Sequence, residues 1–591
     1  MKREQVKERY KWKIEDIYPS DEEWEKDFEN LQSRLDFSAY AGKLGDKETL
    51  LKFLKANDKF NYTLERVYVY AHMRHDEDAG VSKYNSYYLK VSAFASKCAT
   101  ELAFFEPEMA GQSEEYLNSL LTDKRFSDYD YSIKRLIARK PHVLSESEER
   151  IIGMSGEILG AFYDSFSMID NLDLPLPEIE WEGEKVKLSH GLYGVILHSD
   201  DREKRRECYE KYYSAYTGLI NTLTSVYYGN VKKDVFLSKV YKYNSCLEHA
   251  LFEEDVDRVV YDNLIKAVDD NLPAMHRYIA DRKKILGYDK QYFYDIYAPL
   301  VDGVSVKYSY DDAYDLVIKG LEPLGKEYLQ LLRKGYEERW VDVEETEGKR
   351  GGAYSIGVPG AHPFVLLNYT PTLSDVFTIA HEMGHSLHTY YSQKNQPLAK
   401  SDYKIFVAEV ASTVNETLLL KYMLRQATDE NLKKYLLNYY LDSIRATLHR
   451  QTMFAEFESK AHSLAEKGEP LTKEVLCDLY AGIGKKYYGD AIEHDYNISC
   501  EWARIPHFYR SFYVYKYATG LTAAINIAKR ILEEGEPAVK DYFKFLSGGA
   551  STDPVSLLKL AGVDLSKTAP FEVAMAEFEQ TLTEFERLMN I

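Results

Sequence analysis

His381, Glu382 and His385 fall in the run TIAHEMGHSLH, residues 378–388, which sets two imidazoles four residues apart with a carboxylate beside the first. On a helix the two histidines differ by about 40° around the axis, so both reach one ion, and the intervening Glu can act as a base toward water. That is the residue set of metal-assisted peptide hydrolysis. His388 continues the same face, but lies about 10 Å along the axis from His381, too far to share an ion whose Zn–N bonds are about 2 Å. It is expected to be a neighbour. A catalytic zinc takes three protein ligands and leaves one position open, so a third ligand is required. The extended pattern HExxHxxGxxH would need Gly at 388 and His at 391, where the chain has His388 and Tyr391.

The third ligand is therefore sought on a following helix. SDYKIFVAEVASTVNETLLLKYML offers Glu409 and Glu416 on one face, with Val407, Ala411, Val414 and Leu418 opposite. If the first helix ends near Ser392 and the next begins near Asp402, His385 and Glu409 are each about seven residues from the turn and lie level in an antiparallel pair. Glu416 overshoots by two turns and is expected to orient a ligand histidine. The first helix has its own start signal: Thr372 with Asp375 three residues on, followed by Val376, Ala380, Met383 and Leu387 at helical spacing.

Most of the chain has the same periodicity, as in EEWEKDFENLQSRL and EVAMAEFEQTLTEFERLM, so a mainly α protein is expected. Two stretches alternate instead. LDLPLPEIEWEGEKVKLSHG reads as a small hairpin near residue 180, and GGAYSIGVPGAHPFVLLNY, residues 351–369, as short strands just before the metal helix. The second is the natural edge on which an extended peptide adds its backbone, which nominates Gly352, Ala353, Tyr354, His362 and Pro363 as substrate-binding residues. The first marks an expected boundary between a helical N-terminal domain, 1–200, and a catalytic domain, 201–591.

Composition excludes several function classes. A chain of 591 residues exceeds the size of one core. Its formal charge of −20 disfavours nucleic acid and anionic membrane surfaces as partners. No run approaches a membrane span, and the N-terminus lacks the apolar core of a secretory signal, so a cytoplasmic protein is expected. Five cysteines without CxxC spacing read as reduced packing residues rather than a thiolate zinc site.

AHEMGHSLH followed by AEVASTVNE resembles the thimet oligopeptidase (M3) family of zinc metallopeptidases, in its oligoendopeptidase F branch. WKIEDIYPSDEEW, HVLSESEERII, KVYKYNSCLEHAL, GAYSIGVPGAHPFVLLNY and EWARIPHFYRSFYVYKYATG resemble further segments of that branch, so the likeness spans nearly the whole chain. The resemblance implies one Zn²⁺ per chain held by His381, His385 and Glu409, with Glu382 as the catalytic base. It implies a mainly helical ellipsoid with a deep channel that admits short peptides and excludes folded proteins. In related enzymes a His and tyrosines stabilise the oxyanion. In RIPHFYRSFYVYKYATG these correspond to His507, Tyr513 and Tyr517, with Phe512 standing where an ungapped match places a tyrosine.

The expected function is thus zinc-dependent endopeptidase action on short unstructured peptides, by a monomer, with a dimer left open. One alternative is an exopeptidase of the same superfamily, a dipeptidyl carboxypeptidase or carboxypeptidase, in which Arg350, Arg504 or Arg510 would capture the terminal carboxylate. The other is a non-catalytic peptide-binding protein.

Overall fold

The computed structural model describes residues 1–301 and 307–591. The chain is mainly α-helical, with two small sheets: β1 (Glu178–Trp181) and β2 (Glu184–Lys187) form an antiparallel hairpin, and β3 (Val341–Asp342), β4 (Tyr354–Ile356) and β5 (Phe364–Leu366) form a sheet in the order β3-β5-β4. The β1–β2 turn is two residues, Glu182 and Gly183, both at positive φ, the geometry that matches the right-handed twist of the flanking strands. Among the described residues no helix is long and apolar enough to cross a membrane. All five cysteines are buried and unpaired by disulfides.

Two compact units interleave along the chain. One takes Met1–Val143, Val306–Tyr422 and Ile527–Val563; the other takes Leu144–Ser305, Met423–Asn526 and Asp564–Ile591. A single division near residue 200 does not coincide with this partition. Helical periodicity marks where elements start and stop, whereas compactness depends on which distant elements pack together, and here the chain leaves each unit and returns to it.

In the first unit the long helices Lys47–Glu77 and Ser82–Leu102 pair, with Trp24 stacked on Tyr87 at 4.0 Å and its indole N–H donated to the Val67 carbonyl at 2.9 Å. This aromatic core extends to Val358, Phe364 and Leu366, so it backs the three-stranded sheet. β5 is buried at every position. The helix Leu373–Asn395 packs against β4 and β5, and Ser355 and Ser386 join across that contact through their hydroxyls at 2.8 Å. The sheet thereby sets the position of the helix that carries the HExxH residues. In the second unit, helices Arg202–Gly218, Ile220–Val240, Arg450–Glu466 and Lys473–Tyr488 enclose paired charges, among them Arg205–Asp295 at 3.1 Å and Arg450–Glu501 at 2.7 Å.

Candidate metal centre and active-site residues

The helix Leu373–Asn395 begins where its capping residues place it, with the Thr372 hydroxyl accepting from the Asp375 amide at 3.2 Å. Val376, Phe377, Ile379, Ala380, Met383 and Leu387 are buried, leaving His381 and His385 on the remaining face. The second helix, Ala408–Gln426, starts six residues later than the spacing argument assumed. The levels survive because the connecting segment already runs back along the first helix: the Ser392 hydroxyl donates to the Ser401 carbonyl at 2.5 Å, and Tyr403 stacks on His388 at 3.8 Å.

Close contact between the two helices depends on Gly384. A Cβ there would stand 2.6 Å from Ser412 Cα and 2.7 Å from the Ala411 carbonyl oxygen, so only glycine fits. One turn away, the buried Asn415 donates to the Ala380 carbonyl at 2.9 Å and accepts from the Tyr328 hydroxyl at 2.9 Å. Gly384→Ala is accordingly expected to destabilise the protein by about 1–3 kcal/mol, the usual cost of overpacking, and to weaken metal binding as the ligands are pushed apart. Thermal unfolding together with metal titration checks both. Neither Gly384 nor Asn415 was singled out from the sequence. The available signals were a glycine inside an uninterrupted helix and an Asn one position before Glu416 among apolar neighbours.

His381 Nε2, His385 Nε2 and Glu409 Oε2 converge: the two nitrogens are 3.1 Å apart and lie 3.3 and 3.5 Å from the carboxylate oxygen. A tetrahedral zinc with bonds of about 2.0–2.1 Å spaces its ligand atoms about 3.3–3.4 Å apart, so these three atoms have the spacing of three corners of such a tetrahedron. Among the described residues this is the group of His, Cys, Asp and Glu side chains close enough to hold one metal ion. Glu416 Oε1 lies 2.5 Å from His381 Nδ1, on the side of the ring away from that convergence. Burial disfavours the His381 cation, yet hydrogen bonds to Glu409 and Glu416 outweigh it and hold the imidazole well above its ordinary pKa. Burial likewise pushes Glu409 up, but the hydrogen bonds from His381 and His385 prevail and hold its carboxyl well below the usual range. The site attracts positive charge.

Glu382 is buried, and its Oε2 has no hydrogen-bond partner. Burial raises its pKa against the pull of His381 and His385. His388 is fully buried against Tyr403 and Phe545, and burial lowers it to about 3, as befits a neutral packing ring and not a ligand.

The other nominated residues divide into two groups. Gly352 and Ala353 are exposed at the approach to β4, and Gly352 adopts φ +85° with its carbonyl held by Asn368 at 2.8 Å. Tyr354 opens the edge strand and donates its hydroxyl to Asp76 at 3.0 Å. His362 is turned inward, stacked on Trp340 at 4.9 Å and 3.2 Å from Asp16, and Pro363 is buried. The side chains of His362 and Pro363 are thus committed to packing, because this end of β5 lies over the aromatic core. In the second unit, His507 sits in the turn Pro506–Tyr509, and Tyr513 and Tyr517 flank the start of helix Tyr515–Glu534. His507 Nε2 lies 3.3 Å from the Tyr517 hydroxyl, its ring 6.1 Å from that of Tyr513, and the two tyrosine rings are 5.4 Å apart. His507 is exposed at its surface, and partial desolvation, then the Arg510 charge, lowers its pKa.

The sequence matches the family model Peptidase family M3 over residues 195–577 and the model Oligopeptidase F over residues 108–175. It is 43% identical to Oligopeptidase PepF of Bacillus subtilis (strain 168), across 99% of this chain and 88% of that protein. A solved structure from Chlamydophila abortus superimposes with a TM-score of 0.92 at 35% identity, covering 99% of each chain. The oligoendopeptidase-F from Enterococcus faecium superimposes with a TM-score of 0.75 at 34% identity, covering 97% of this chain and 99% of that one. The chain therefore belongs to peptidase family M3 and is a metallopeptidase.

Proposed function

We propose that the chain is a zinc endopeptidase that hydrolyses internal bonds of short, unstructured peptides, with Glu382 as its general base. The observation that carries this reading is the triangle of His381, His385 and Glu409, whose edges of 3.1, 3.3 and 3.5 Å suit zinc, beside a buried carboxylate with a free oxygen. When bound, zinc acts as a Lewis acid that polarises the scissile carbonyl and favours deprotonation of water. The protein does the rest. Glu382 takes a proton from the attacking water and returns one to the leaving amine nitrogen. Glu416 holds the His381 ring by its outer nitrogen, which fixes the orientation of Nε2. His507 through a ring N–H, with the Tyr513 and Tyr517 hydroxyls, supplies the groups that stabilise the oxyanion. The outer edge of β4, with Gly352 and Ala353 at its approach, offers backbone groups to an extended peptide. Oligopeptides as the substrate class accord with the names of the Bacillus subtilis and Enterococcus faecium relatives.

Peptide length and blocked termini test the reading. A peptide of roughly five to twenty residues, acetylated and amidated, is expected to be cut internally, with the same segment inside a stable folded domain spared, because strand addition requires an extended backbone. Mass spectrometry of the digests reads the cut positions. Dependence on a free carboxyl terminus would show an exopeptidase instead, and cleavage of the folded domain would overturn the size limit.

A further inference from the structure

The turn that carries Tyr513 is held from beneath by buried polar groups that the chemistry above does not use. Phe512 has φ +57°, in the left-handed region that a bulky non-glycine residue seldom adopts, and it is 3% exposed. Its amide donates to Glu458 Oε1 at 3.0 Å. Glu458 is fully buried on helix Arg450–Glu466, and its Oε2 has no partner. Around it, the Ser511 hydroxyl donates to Asp234 at 2.7 Å, Asn230 donates to the Phe508 carbonyl at 3.3 Å, and the Phe512 ring lies 4.6 Å from that of His462. The backbone from Phe508 to Phe512 is thus tied down at each end, and the next residue is Tyr513, whose ring faces His507.

We propose that Glu458 is a positioning residue: by accepting the buried Phe512 amide it holds the left-handed turn that sets Tyr513 against His507 and Tyr517. This rests on the reading of those three residues as oxyanion donors. A backbone N–H buried without an acceptor is costly, so loss of the Glu458 oxygen favours return of Phe512 to an ordinary backbone conformation, which re-aims Tyr513. Burial, offset in part by the Phe512 N–H and reinforced by Asp234, pushes the Glu458 carboxyl well above its usual range. What the Phe512 amide requires is an oxygen at that reach, so reach matters more than charge.

Glu458→Gln keeps the reach and a carbonyl oxygen that can accept, while Glu458→Asp keeps the carboxyl group and shortens the side chain by about 1.5 Å, beyond hydrogen-bond distance of the Phe512 amide. The test measures kcat, KM, metal content and unfolding temperature for E458Q, E458D, H507A with Y513F, and E458D placed on that double variant. Expected are kcat within about threefold of wild type for E458Q, and a fall of about tenfold or more for E458D with KM within about twofold, since only a transition-state interaction is lost. On the H507A/Y513F background E458D is expected to add less than about twofold. An E458Q loss as large as that of E458D, a loss in E458D of metal or KM in place of kcat, or a full E458D effect on the double-variant background would each overturn the proposal. Full activity of H507A/Y513F would instead overturn the oxyanion assignment. Wild-type kcat in E458D beside an impaired H507A/Y513F would sink the positioning role alone.

Discussion

Glu382→Gln is expected to keep one metal ion per chain and to lose about 10²–10⁴ in kcat, the range that a positioned general base supplies. The substitution preserves volume and leaves His381, His385 and Glu409 in place, so the loss belongs to proton transfer. Because Glu382 Oε2 has no hydrogen-bond partner, an amide at this position breaks no existing contact of that oxygen, and the fold should be undisturbed. kcat and kcat/KM should fall together with KM nearly constant, the pattern of an interaction made only in the transition state. Elemental analysis of the purified variant beside its steady-state kinetics makes the measurement. Turnover near wild type with metal fully bound would remove Glu382 from its role.

Glu409→Ala should abolish stoichiometric metal binding, whereas Glu416→Ala should weaken it by about 10–100-fold, the usual cost of deleting a partner that orients a ligand. The difference follows from which nitrogen of His381 each carboxylate meets. Glu409 Oε2 is 3.3 Å from Nε2, the atom that also faces His385, while Glu416 Oε1 sits on Nδ1. Removing Glu409 leaves two imidazoles, one ligand short of the three that a catalytic zinc takes. Removing Glu416 leaves all three ligand atoms and frees one ring to reorient. Competition against a chelator of known affinity separates the two variants. Equal affinities, or the reverse order, would show that the levels of the two helices have been misread.

Much of the metal group is legible in local sequence because its determinants recur within a few residues. The Thr372 and Asp375 cap, the apolar spacing from Val376 to Leu387, and the four-residue step from His381 to His385 belong to one contiguous helix, whose 3.6-residue period fixes which side chains share a face. Glu409 was reachable by counting from the turn, although the second helix starts at Ala408, because the segment around Tyr403 already runs antiparallel to the first helix.

Other features depend on partners far away in the chain, which no local period encodes. Gly384 matters because Ser412 Cα would lie 2.6 Å from a side chain there, and Asn415 because it bridges the Ala380 carbonyl and Tyr328. His362 stood among the nominated substrate contacts, yet Trp340 draws its ring into the packing. Tyr513 sits where it does because Glu458, on a helix some fifty residues earlier in the chain, caps the amide of a residue at positive φ. The interleaved division into two units has the same origin. Sequence alone determined the residue types, their helical faces and the chemistry they can perform. The tertiary structure decided which backbones approach closely enough, and which buried polar groups are satisfied, because those quantities depend on side chains meeting in space and not on their separation along the chain.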